Sequence, residues 1–142
     1  MKFIRINVLL LLLFFLINIY NLHCQESLNN QYTILNEFDE IKISISGNII
    51  LKNYFGPPNY GETPEIDIKE KHYVLKTNKI ITFSNGIEVI KVKEFQLIFL
   101  TKDFAGDIDP NKNYLVIGNA FYAQTGHHHT PIIISVNLIL IN

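Results

Sequence analysis

The chain has 142 residues, with 12 basic and 13 acidic side chains, one cysteine, one methionine and no tryptophan. That length holds one domain with a modest core and excludes a two-domain enzyme. The single arginine, Arg5, and the single cysteine, Cys24, both fall in the first 24 residues, so the remainder is built without either. This excludes a disulfide framework and thiol chemistry there, and it argues against nucleic-acid binding.

Residues 1–24 read as an export signal. Lys2 and Arg5 make a short positive start, and residues 8–17 form an unbroken apolar run of the length such signals use. The wider stretch 3–22 is long enough to span a bilayer, but Asn7, Asn18 and Asn21 interrupt it. A cleaved signal is therefore expected over an uncleaved anchor. Lipidation of Cys24 is the lesser alternative, because His23 and Asn21 stand where a lipoprotein has small residues. Those two routes are the only membrane contact expected. Removing Lys2 and Arg5 leaves ten basic against thirteen acidic residues, so the exported part is more acidic than the whole chain. Its expected place is secreted or periplasmic.

Residues 25–40 are polar and read as a loose lead-in to a single domain over 41–142. Ile41, Ile43 and Ile45 alternate with Lys42, Ser44 and Ser46, the period of a half-buried strand. Gly47 then marks a bulge or bend before the apolar run resumes at Ile49. Residues 53–70 carry Gly56, Pro57, Pro58, Gly61 and Pro64, a density of breakers that predicts a long loop. Residues 72–75 and 80–83 read as short strands. Ser84-Asn85-Gly86 supplies a tight turn, because Asn and Gly accept positive φ readily. Strands are expected over 87–92, 95–100, 114–122 and 131–140, with Gly118 inside one of them. No segment carries a helical period. Five principal strands with two glycine corners predict an all-β fold, a small OB-like Greek-key barrel. The alternative is a small open β-sandwich.

Two loops hold the residues that chemistry would use. Tyr54-Phe55-Gly56-Pro57-Pro58-Asn59-Tyr60-Gly61-Glu62-Thr63-Pro64 packs three aromatics and three prolines into eleven residues. A stiff loop with tyrosines makes a good contact surface, since aromatic rings give area at low entropy cost. The plainer alternative is that its aromatics cap one end of the barrel. Thr125-Gly126-His127-His128-His129-Thr130-Pro131 offers imidazoles suited to zinc, copper or nickel. In an extended segment His127 and His129 share a side and His128 faces away. Two ligands make half a site, and His72, Glu62, Glu65 or Asp67 are candidates to complete it. The alternative is a structural loop pinned by its histidines. Asp107-Ile108-Asp109-Pro110-Asn111 begins like a calcium loop, but Lys112 and Gly118 stand where that motif needs glycine and glutamate. An ordinary Asx turn is the better reading. No GxSxG, HExxH or CxxC pattern is present, and no carboxylate spacing singles out an acid–base pair.

At these loops the sequence resembles a family of small exported bacterial proteins that carries a domain of unknown function. The resemblance rests on the segment from Tyr54 through Gly56-Pro57-Pro58-Asn59-Tyr60-Gly61-Glu62 to Asp67. It rests also on Gly118 through Ala123 to the Thr125–Pro131 histidine segment, on Phe95-Gln96-Leu97 and on Tyr73-Val74-Leu75. It implies export and a β fold, and it transfers no catalytic residues. The expected function is a non-enzymatic binding or accessory module of the cell envelope. Tyr54, Tyr60, Glu62, Asp67, His127 and His129 would bind an unidentified envelope protein or small ligand. The second reading is a metal protein or metal-dependent enzyme, with His127 and His129 holding a divalent ion such as zinc.

Overall fold

The computed structural model describes residues 30–34, 36, 39–99 and 108–142. The proposed signal segment, Cys24 and Asp107 lie outside the described residues. Six strands form one mixed sheet, and no helix occurs among the described residues. They are β1 (Gln31–Thr33), β2 (Ile41–Phe55), β3 (Lys69–Ser84), β4 (Val89–Phe99), β5 (Asn113–Tyr122) and β6 (Ile132–Ile141). Pairing runs β1-β3-β2-β5-β6-β4, and β4 also pairs with β3. The path of hydrogen bonds thus returns to β3. The β4–β6 and β1–β3 pairs are parallel and the others antiparallel.

Alternation decides which face of each strand is buried. Ile43, Ile45 and Ile49 of β2 are buried, and they join Leu75, Ile81 and Phe83 of β3 in the core. Val92, Phe95 and Leu97 of β4, Tyr114, Val116 and Ala120 of β5, Ile132, Ile134 and Val136 of β6, and Ile34 just after β1 complete it. Burying side chains of this size is worth about 1.5–3 kcal/mol each, so this inner cluster is the main source of stability.

The structure merges several expected elements. The segments 72–75 and 80–83 are one strand, β3, with a register shift between Lys76 and Ile81. Likewise the strands expected over 87–92 and 95–100 join in one, β4, which begins at Val89 after the turn; Leu100 lies outside the described residues. The separate strands were suggested by polar interruptions that a bulge absorbs without ending the ladder. A sixth strand lies in the polar lead-in. Gln31–Thr33 pairs with Thr82, Phe83 and Ser84, Tyr32 stacks on Phe83 at 5.3 Å, and Ile34 is fully buried. Three residues are too short for any period to announce them.

The two strand glycines stand where backbones crowd. β2 passes from β5 to β3 at Asn48, and at Gly47 beside it a Cβ would collide with the Lys76 carbonyl. At Gly118 the β5–β6 register shifts, and a Cβ would collide with the Ser135 carbonyl. Residues 85–88 close the β3–β4 hairpin. Gly86 takes φ 86°, and the Asn85 Oδ1 accepts from the Ile87 and Glu88 N–H groups. Asp109 Oδ1 accepts from the Asn111 N–H at 2.9 Å, an Asx turn as expected.

Candidate functional site

The site grows from a change of phase along β2. Up to Ile49 the buried residues are the odd ones. Beyond it Ile50, Lys52 and Tyr54 are half-buried, while Leu51, Asn53 and Phe55 are exposed. The covered face has switched from the inside of the sheet to the outside. Across the ladder Ile50 pairs with Val74, Lys52 with His72, and Tyr54 with Glu70. Directly opposed residues share a face, so Tyr54, Glu70 and His72 stand together on the outer surface.

Two loops cover this surface. Residues 56–68 join β2 to β3. The buried Asp67 carboxylate accepts from the Asn59 N–H at 2.8 Å and the Gly61 N–H at 2.6 Å. These bonds bracket Tyr60, which holds φ 52°, a left-handed conformation costly for a tyrosine. Tyr60 lies edge-on to His127 with centroids 6.0 Å apart. Its ring also sits against Gly126, where a Cβ would meet it at 2.6 Å. Glu62 is exposed at the loop surface.

The β5–β6 loop brings the histidines. It turns at 125–128, where the His128 N–H donates to the Thr125 carbonyl at 3.0 Å. The segment is therefore bent rather than extended, yet His127 and His129 still reach one group, Glu70. His128 points elsewhere. Its Nδ1 accepts from the Gln124 N–H at 2.9 Å, and its ring meets Phe121 edge-on. Burial pushes the His128 imidazole below its ordinary range, and repulsion from His127, His129 and His72 adds to that.

Glu70 is the centre of the cluster. Its Oε1 lies 2.7 Å from His127 Nδ1, and its Oε2 lies 3.2 Å from both His72 Nε2 and His129 Nε2. The Glu70 side chain is 17% exposed, His129 11% and His127 54%, so the cluster runs from a covered floor to an open mouth. Burial pushes the carboxyl up, but hydrogen bonds from His72, His129 and His127 and attraction to His127 outweigh it and hold it at about 2. Tyr54 stacks on His129 with centroids 4.3 Å apart and planes 3° from parallel. Burial raises the Tyr54 phenol, which Lys52 opposes and Glu94 reinforces.

Gln96 holds the loop to β4. Its Oε1 accepts from the His129 N–H at 2.6 Å and its Nε2 donates to the His127 carbonyl at 2.9 Å. Its backbone N–H donates to Thr130 Oγ1 at 2.8 Å, and that hydroxyl donates to the Ile132 carbonyl. With both ends of the amide thus assigned, its second N–H faces His72 Nδ1 at 3.2 Å. His72 Nδ1 then accepts, and its proton sits on Nε2, directed at Glu70.

Of the six residues expected at the site, the structure gathers Tyr54, Tyr60, His127 and His129 around Glu70. Asp67 is engaged by its own loop, and Glu62 takes no part in the cluster contacts described. Of the residues proposed to complete a histidine site, His72 joins. Glu70 entered the sequence reading only as the end of a loop, and Gln96 only within the Phe95-Gln96-Leu97 segment; neither was assigned to the site. Their signals were a Glu-x-His alternation at the start of β3 and one amide inside the apolar run Phe95-Gln96-Leu97-Ile98-Phe99.

Residues 94–140 match the model of a domain of unknown function, DUF4431. The match takes in Gln96 and the histidine loop and stops short of the proline-tyrosine loop. No curated protein and no solved structure matches the chain.

Proposed function

We propose that the protein is an exported binding module of the bacterial cell envelope, an OB-like Greek-key barrel that follows a 24-residue signal segment. Its binding surface is the outer face of β2, β3 and β4, flanked by the proline-tyrosine and histidine loops. The barrel reading is supported by a pairing path that returns to β3 and by the parallel β4–β6 pair. In an OB-like barrel the outer face of the second and third strands and two of the loops beside it take up ligands. Setting β1 aside, those strands correspond to β3 and β4.

One observation carries the reading. Residues far apart in sequence converge here, with aromatic rings, a carboxylate and imidazoles at one half-open surface, and they include Tyr60 in a conformation the loop has to enforce. Strain of that kind concentrates at functional positions. The absence of arginine beyond Arg5 speaks against nucleic acid, so the expected partner is an envelope protein or a small ligand.

The test is crosslinking capture from envelope extract, comparing the wild type with a Tyr60→Ala/His127→Ala double variant that keeps its β circular dichroism. A specific partner recovered by the wild type and lost by the variant is expected. Equal recovery by both, or nothing above an unrelated β-barrel control, overturns the reading.

A further inference from the structure

We infer that Glu70, His72 and His129 form a binding site for a first-row divalent cation of the zinc kind. The set differs from a chelate of the loop histidines, since two of its three ligands come from β3. Glu70 Oε2 stands 3.2 Å from each of the two Nε2 atoms, and the three ligand atoms lie within 4.8 Å of one another. A tetrahedral ion with bonds of about 2.0–2.2 Å spaces its ligands about 3.3–3.6 Å apart, so small adjustments suffice. Two imidazoles and one carboxylate suit zinc and its neighbours, whereas calcium and magnesium call for oxygen ligands throughout.

The surroundings are built for it. His127 Nδ1 holds the other carboxylate oxygen and orients Glu70, the kind of outer partner that metal ligands use. The stacked Tyr54 ring fixes the plane of His129. Three protein ligands leave a fourth position for water or for a donor atom of a bound partner. One contact opposes the ion. A ligating His72 carries its proton on Nδ1, facing the Gln96 amide, so that N–H has to turn aside while the bond to the His127 carbonyl stays. That contact weakens binding relative to a site without it.

The inference shares its cluster with the binding-module reading but requires no partner. The two fail separately, one by zinc titration and the other by capture. The test is isothermal titration of zinc into untagged protein, with circular dichroism confirming the fold of each variant. One zinc per chain is expected. Glu70→Gln and His72→Gln each weaken binding by about tenfold or more, while His128→Ala stays within about twofold of wild type. X-ray absorption at the zinc edge of the loaded wild type gives a readout that no variant's folding can confuse, and two imidazoles are expected. No stoichiometric zinc, unchanged affinity in Glu70→Gln and His72→Gln, or a three-imidazole shell lost in His128→Ala overturns the inference.

Discussion

At the scale of single residues, carboxylates do two different jobs in neighbouring places. Asp67 is buried and has its oxygens on the Asn59 and Gly61 N–H groups, so it holds the backbone on either side of Tyr60. Asp67→Ala leaves two donors without a partner in a partly buried turn. It is expected to cost about 2–3 kcal/mol in urea unfolding, where hydrogen bonds to charged groups fall. Asp67→Asn keeps one acceptor and is expected to cost less. Glu70 instead gathers imidazoles, and its ionisation is linked to folding. Its folded value of about 2 lies below the ordinary 4.5, so its stabilising contribution is complete above about 4.5 and is lost as pH falls toward 2. In the presence of a chelator, Glu70→Gln is expected to melt below wild type at neutral pH, with the gap closing across that acid window. A gap independent of pH between 2 and 7 would show that Glu70 acts through packing alone.

At the scale of elements, the inner face was legible and the outer one was not. The alternation from Ile41 to Ile49 announces a core-facing strand, and Asn85-Gly86 announces the hairpin, because both are local rules. The phase switch after Ile49 is visible only once β3 and two loops cover the opposite side of the sheet. Glu70 looked like the end of a loop for the same reason. What makes it central is its cross-strand pairing with Tyr54 and a loop more than fifty residues downstream. Both glycine corners were readable as breaks in the pattern, although only the structure says what each one avoids. Gly118 faces the Ser135 carbonyl at the β5–β6 register shift. Gly118→Ala has to push that backbone away and is expected to cost about 1–3 kcal/mol by thermal or urea unfolding. Gly86→Ala, at a position with nothing within 4 Å of the added atom, meets only the strain of φ 86°. It is expected to be the milder of the two, and the reverse order would show that close packing at Gly118 is not what its glycine serves.

At the scale of the whole molecule, the core and the site are two layers that share β2, β3 and β4, and β4 carries the two side by side. Phe95 and Leu97 point into the core, and Gln96 between them points out and carries the histidine loop. The loop has little apolar burial of its own, so its order depends on polar and ring contacts, among them that amide and the Thr130 hydroxyl beneath it. Gln96→Leu is close in volume and leaves the strand's alternation intact. It removes the acceptor for the His129 N–H and the donor for the His127 carbonyl, so two backbone groups lose their partners. The expected cost is about 2–3 kcal/mol if the loop stays docked over the apolar side chain. If the loop lifts into water those groups are solvated, and the global cost falls while local order is lost. Hydrogen exchange separates these outcomes. The His129 amide is expected to exchange at a rate set by local opening, while that of Val116, deep in the β2–β5 ladder, keeps the protection of global unfolding. Equal loss of protection at both positions would mean that loop and core unfold as one unit, and that the outer layer is part of what holds the sheet together.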